Sequence, residues 1–230
     1  MRIAIVGWEE GLAGQVSTWI ETAMQCSIEY YVHPNDTFPM ISANDALARP
    51  AKNFSFPVNG MYLNLPMIIS KDWLKRLAEL NIEGVVCCLS NSQERESIYR
   101  ELVKSDIALL TAVHPSAQVL GGAEIKPGCI LEPNTYVGYR AEIGVCTHVK
   151  VGSQVDHHSV VGDFSEIGPG ALIAGNVLVG EHSKIHLGST IINRVSVPRN
   201  TTVGAGANVV KTYQDEGLTL IGNPAKPMSK

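Results

Sequence analysis

The chain reads as two folds in tandem, a small parallel α/β sheet in residues 1–113 and an all-β parallel helix of short coils in residues 114–230. Two observations carry the second half. From Val119 to Val209 every sixth residue is Val, Ile or Leu without a miss, sixteen positions in succession. A small residue stands two places ahead of nearly all of them, as at Ala117, Ala123, Cys129, Thr135, Ala141, Thr147, Ser153, Ser159, Ser165 and Ala171, and Gly often follows, as at Gly138, Gly144, Gly162, Gly168, Gly180 and Gly204. A period of six is neither the 3.6 of a helix nor the two of a lone strand, so it marks hexapeptide-repeat coils. The third observation is a change of pattern: before residue 113 short apolar runs alternate with helix-permissive stretches, which implies a βαβ sheet.

Taken in order, Arg2–Val6 is a first strand, followed by Gly7, Gly11 and Gly14 and a helix-permissive stretch through Met24; residues 27–32 form a second strand. Residues 35–65, rich in Pro, Asn and Ala without periodicity, read as loop. Over 71–80 the apolar residues Trp73, Leu74, Leu77, Ala78 and Leu80 share a helical face, with Ser70 as N-cap. A strand over 84–89, a charged amphipathic helix over 92–104 and a strand over 107–113 complete the sheet. At His114-Pro115-Ser116-Ala117 the period switches to six, and Pro115, which has a fixed φ and no donor, suits the first corner of a new architecture. Burying each aliphatic side chain contributes roughly 1.5–3 kcal/mol before chain entropy is charged, enough to drive a solenoid whose single coils could not stand alone.

Composition excludes several classes. The net charge is −4 and Lys and Arg form no long run, so nucleic acid is not the expected partner. The N-terminal apolar run ends quickly at Glu9 and Glu10, which fits a strand and not a secretion signal, and no stretch approaches a membrane span; a cytoplasmic protein is expected. Five cysteines, Cys26, Cys87, Cys88, Cys129 and Cys146, lack metal-ligand spacing and are expected to be reduced and structural.

Four motifs are more specific: His114-Pro115-Ser116-Ala117 at the start of the repeat, Asp156-His157-His158-Ser159-Val160-Val161-Gly162-Asp163-Phe164 in its middle, Ala174-Gly175-Asn176-Val177, and Gly222-Asn223-Pro224-Ala225-Lys226-Pro227 near the end. With them the second half resembles the left-handed β-helix acyltransferases, and the whole chain resembles the PglD/NeuD group, which acetylates nucleotide-linked amino sugars or sialic acid. The resemblance implies a left-handed parallel β-helix of about 18 residues per coil behind a small Rossmann-like nucleotide-sugar-binding domain. It also implies acetyl-CoA as co-substrate with no metal, and a homotrimer with active sites between subunits.

The chemistry explains the histidine. Attack on a thioester needs an unprotonated amine or an activated hydroxyl, and a group titrating near neutrality can take the proton. His157, two residues past Val155 and so at or near a corner, is the candidate general base. The family pattern has an acid directly after this histidine, where the chain has His158. Asp156 or Glu166 is then the carboxylate available to steady the imidazolium, or His158 shares the proton work. Gly175 stands eighteen residues after His157, so with eighteen residues per coil it stacks over that histidine, where its N–H can polarise the thioester carbonyl. By analogy Leu187 and Ala205 line the pantetheine arm, Glu166 belongs to the same cofactor-side set, and Lys226 meets a coenzyme A phosphate.

In the first half, Gly7 and Gly11 sit in a strand-to-helix turn suited to a pyrophosphate, though their spacing is not the dinucleotide fingerprint. Relatives carry glycine and histidine where Glu10 and Gly11 stand, and Glu9 and Glu10 would repel phosphate. His33 and Asn35 close the second strand, where such a sheet reads a nucleoside, and Asn91 follows the strand over 84–89 as a further sugar or diphosphate contact.

The leading expectation is an acetyl-CoA-dependent N-acetyltransferase acting on a nucleotide-linked amino sugar by direct attack; O-acetylation of a sugar or sialic acid and a non-catalytic sugar-nucleotide-binding protein are the alternatives. A zinc hydratase of the γ-carbonic anhydrase kind, which shares the solenoid, would need converging histidines. His182 and His186 lie 34 and 38 residues after His148, straddling two coils without matching them.

Overall fold

A computed structural model describes residues 1–37 and 55–228. They fall into two compact units, Met1–Leu110 and Thr111–Lys230.

The first unit is a sheet in the order β3-β4-β2-β1-β5-β6, with β1 Arg2–Val6, β2 Ser27–His33, β3 Met61–Tyr62, β4 Leu65–Ile69, β5 Gly84–Cys87 and β6 Ala108–Leu109. All neighbours are parallel except the β3–β4 hairpin. Strand β1 lies between β2 and β5 with Ile3, Ala4, Ile5 and Val6 fully buried, as an apolar run in a sheet covered on both faces should be. Helices Trp73–Glu79 and Ser92–Leu102 bury Trp73 and Leu77, and Ile98 and Leu102, in the same core as Ala4, Val6 and Val85.

Several expected elements differ in detail. Part of the loop expected at 35–65 lies outside the described residues. Strand β4 was hidden in the sequence because Pro66 interrupts its only apolar run; the proline is tolerated because the pairing with β2 begins only at Met67. Ser70 is not the N-cap of the next helix. Asp72 occupies that position, and Ser70 Oγ instead accepts the Asp72 N–H (3.0 Å) in a turn ahead of it. The stretch after Gly7 folds as a five-residue π-helical turn, Glu10–Gly14, and two short helices, Gln15–Ser17 and Ile20–Met24. The run 107–113 is two strands: Ala108–Leu109 joins β5, whereas Ala112–Val113 already pairs within the second unit, which therefore begins slightly ahead of the boundary read from the sequence.

The second unit is the left-handed parallel β-helix. Its two-residue strands form three sheets in which each strand pairs with the one eighteen residues later, as in Val137 with Val155 and Val155 with Ile173. Face one carries Ile130–Leu131, His148–Val149, Glu166–Ile167 and Lys184–Ile185; face two Gln154–Val155, Leu172–Ile173, Thr190–Ile191 and Asn208–Val209; face three Val160–Val161, Leu178–Val179 and Ser196–Val197. The aliphatic column from Leu131 to Val209 is buried throughout. Val119, in the first coil, is 40 % exposed, because its strand pairs on one side only. Corner hydroxyls link the coils: Ser159 Oγ donates to the Ala174 carbonyl (2.7 Å) and accepts the Val177 N–H (3.0 Å), and Ser165 and Ser183 repeat the pattern. Each turn needs one left-handed residue; Asn134, His158, Asn176 and Asn200 fill that place, as glycine does at Gly152, Gly170 and Gly188.

None of the five cysteines is in a disulfide. Four are buried, and burial pushes the Cys87 thiol up to about 12. No helix of the described residues is long and apolar enough to cross a membrane.

One buried carboxyl adds a pH dependence. Glu132 is 5 % exposed, and burial raises its pKa above the usual value, against the Val151 N–H that it accepts (3.0 Å) and the charge of Lys150. A carboxyl raised in the folded state contributes stability below its unfolded value, about 4.3, and loses it as the pH climbs through the folded value. Glu132→Gln is permanently neutral and keeps an acceptor for Val151. It is expected to melt at a higher temperature than the parent at about pH 8 and to show no advantage below about pH 4, as calorimetry would record.

Candidate functional site

The turn over 156–159 joins face two to face three. Asp156 Oδ1 accepts the His157 N–H (2.7 Å), and His158 takes the left-handed conformation (φ 57°). This leaves the His157 side chain 49 % exposed, and the two imidazoles meet through Nδ1 and Nδ1 at 3.1 Å. Asp156 Oδ2 lies 4.0 Å from His157 Nε2.

Glycines close on this turn from both sides. A Cβ on Gly138, one coil below, would stand 2.6 Å from the His157 backbone nitrogen. A Cβ on Gly175, one coil above, would stand 2.5 Å from His157 Nε2. The Asn176 N–H donates to the His157 carbonyl (3.0 Å), while Gly175's own N–H enters no backbone hydrogen bond among the described residues. Gly175 therefore does stack over His157. Gly138 was legible only as one of the glycines that follow the aliphatic column.

Beside this corner, on face two, an open groove of about 300 Å³ is lined by Gln154, Asp156, Leu172, Ile173, Ala174, Thr190, Ile191 and Ile192. Leu172 and Ile192 are 43 % and 40 % exposed, apolar side chains facing outward beside a histidine. Leu187 and Ala205 are exposed at the opposite corner of the same face, on the turns that lead into Thr190–Ile191 and Asn208–Val209. Lys226 is exposed on a short strand antiparallel to Thr219–Ile221.

Glu166 is placed elsewhere. It lies on face one, across the triangular section from the corner that carries His157, and its Oε1 meets Lys150 Nζ at 3.1 Å. Of the two carboxylates considered for steadying His157, only Asp156 is in its neighbourhood. Among the described residues no group of three His, Cys, Asp or Glu side chains is placed to hold a metal.

The first unit has its own crevice, about 390 Å³, at the carboxyl ends of β1, β2 and β5. Trp8, Pro34, Leu89 and Ile98 supply apolar walls, and His33, Asn35, Ser97, Glu9, Glu94 and Glu101 supply polar groups. His33 and Asn35 are thus brought together; burial holds the His33 imidazole below its usual pKa. Asn91 caps the adjoining helix, its Oδ1 accepting the N–H groups of Gln93 (2.9 Å) and Glu94 (3.1 Å). Fully buried Arg95, unremarked in the sequence, donates to the Leu89 (3.0 Å) and Ser90 (2.9 Å) carbonyls, and Ser90 Oγ donates to Glu9 (2.8 Å).

The glycines do not form the phosphate cradle expected of them. Gly7 donates its N–H to the Val32 carbonyl (2.9 Å), and at φ 116° a Cβ there would collide with the Cys88 carbonyl, so its role is close packing of β1 against β5. Gly11 is exposed in the π-helical turn and does not line the crevice. Among the described residues three carboxylates and no Lys or Arg line it, a lining suited to an uncharged group.

No family model and no curated protein matches the chain. Among solved structures, it matches a variant of GDP-perosamine N-acetyl transferase from Caulobacter crescentus in complex with CoA and GDP-perosamine, with 23 % identity, a TM-score of 0.82, and 100 % of this chain and 98 % of that chain covered. The acetyltransferase domain of PglB from Neisseria gonorrhoeae FA1090, in complex with acetyl coenzyme A, matches with 25 % identity, a TM-score of 0.79, and 99 % and 98 % covered. WeeI from Acinetobacter baumannii AYE matches with 22 % identity, a TM-score of 0.72, and 99 % and 100 % covered. The whole chain therefore has the fold of β-helix sugar N-acetyltransferases.

Because the atoms that a Gly175 Cβ would meet belong to a half-exposed ring and not to backbone, Gly175→Ala is expected to fold with a melting temperature within about 2 °C of the parent. A crystal structure of the variant is expected to show the His157 imidazole swung off its present position.

Proposed function

We propose that the protein is an acetyl-CoA-dependent N-acetyltransferase acting on a nucleotide-linked amino sugar, with His157 as general base. The observation that carries this reading is the seating of Gly175 against the His157 ring one coil above, with its N–H in no backbone hydrogen bond among the described residues. The solved structures that match over nearly the whole chain include proteins bound to CoA with GDP-perosamine, or to acetyl coenzyme A.

The residues fit a thioester. A side chain on Gly175 would fill the space over Nε2, and Leu172, Ile191 and Ile192 give an apolar groove beside it for an uncharged arm. Acetyl-CoA supplies an activated carbonyl and a thiolate leaving group. The Gly175 N–H donates to the carbonyl oxygen as negative charge gathers there. His157 Nε2 takes the proton that the amine loses as its nitrogen–carbon bond forms, and passes it to the departing sulfur as the carbon–sulfur bond breaks. Asp156, 4.0 Å from Nε2, favours the transient imidazolium.

The crevice of the first unit takes the nucleoside, between apolar walls and acceptors suited to ribose and base donors. The exposed Leu172 and Ile192 favour the homotrimer that the resemblance implies, with a second copy closing the groove.

Thiol release from acetyl-CoA, followed across UDP-, GDP- and dTDP-linked 3-amino and 4-amino sugars and their hydroxyl counterparts, tests the assignment. An amino sugar is expected to accelerate release, and His157→Ala to lower kcat by about 10²–10⁴-fold. If no member accelerates release, the assignment fails. Ser97→Trp, which fills the crevice, is expected to raise KM for the nucleotide sugar at least about tenfold while leaving KM for acetyl-CoA unchanged.

A further inference from the structure

We propose that His158 is a positioning residue, whose Nδ1 lone pair accepts the Nδ1–H of His157 and so holds that ring in the tautomer with a free Nε2. The inference rests on His157 being the general base. It assigns to an uncharged imidazole the place of a carboxylate.

The 3.1 Å separation of the two Nδ1 atoms requires one to carry a proton and the other a lone pair. If His158 were the donor, the His157 proton would sit on Nε2, the atom beside Gly175, and His157 could accept nothing there. With His157 as donor, Nε2 is open. Once it has taken a proton, the imidazolium offers N–H groups to the His158 lone pair on one side and towards the Asp156 carboxylate on the other.

The surroundings hold His158 in that role. Its backbone N–H donates to the Tyr139 carbonyl (3.0 Å), and its ring meets the Tyr139 ring edge-on with centroids 5.6 Å apart. The titratable and charged groups facing the pair are Asp156 on the same turn, and Tyr139 with Arg140 stacked on it at 5.1 Å from the turn below. The turn above, Ala174-Gly175-Asn176-Val177, carries none. An uncharged acceptor stabilises the imidazolium less than a carboxylate does.

Three variants separate the possibilities. His158→Asn suits the left-handed backbone, as Asn134, Asn176 and Asn200 do at matching turns, and keeps an acceptor that does not titrate. His158→Phe keeps a ring and removes the acceptor; His158→Glu restores a charge. Long-range proton–nitrogen NMR of histidine-labelled protein reads the tautomers without substrate. His157 is expected as the Nδ1–H form in the parent and His158→Asn, and to lose that preference in His158→Phe; an Nε2–H form in the parent overturns the proposal. With the amino sugar that the panel identifies, His158→Asn is expected to keep kcat within about threefold. His158→Phe should lose at least about tenfold in kcat with KM unchanged. His158→Glu should move the acid limb of kcat/KM up by about one pH unit. A parent-like kcat in His158→Phe also overturns the proposal, while leaving the acetyltransferase reading intact. If the panel yields no substrate, that reading fails and the proposed role falls with it, whereas an unexpected tautomer sinks the proposal alone.

Discussion

The rest of the second unit depends on one constraint, the parallel ladder that ties each two-residue strand to the strand eighteen residues on. A strand that short cannot persist alone, so every coil borrows its hydrogen bonds and its apolar floor from its neighbours. Inward positions are thereby committed to aliphatic side chains, and corner positions to small residues and left-handed backbone. Chemistry is left to the outward atoms of the turns. His157 is half-exposed at its turn, whereas Val155, two residues before it, has taken the interior place.

The same ladder aligns groups from three successive coils. Gly138, His157 and Gly175 occupy one corner in register, and none of the three acts alone: the lower glycine lets the turn settle, and the upper one leaves space over the ring. In the first unit the comparable organiser is Arg95. Its guanidinium holds the Leu89 and Ser90 carbonyls, and Ser90 in turn holds Glu9, so the loops after β1 and β5 are tied together where the crevice opens.

Local repetition is why so much of the second unit was legible. Period six defines the interior column, the column defines the turns, and counting eighteen places Gly175 over His157. That count also puts Glu166 in line with His148 and Lys184 on face one, away from the histidine corner. In the first unit the decisive partners are distant in sequence and carry no periodic trace: Ser90 and Glu9 are 81 residues apart, and the acceptor of the Gly7 N–H lies on β2. Gly7 therefore read as a phosphate ligand, when it is the point at which two strands come too close for a side chain. Likewise Pro66 masked β4, whose place is set by pairing with β2 and not by its own propensity.

The eighteen-residue register makes the length of this domain a quantised property. Adding or removing a whole coil above Gly175 and its supporting turn leaves the histidine corner as it is, whereas a gain or loss of one or two residues carries every later strand onto the wrong part of the triangle. Lineages of such a protein can therefore grow or shrink by coils, and their shorter insertions must bulge from the turns, where the ladder does not count them.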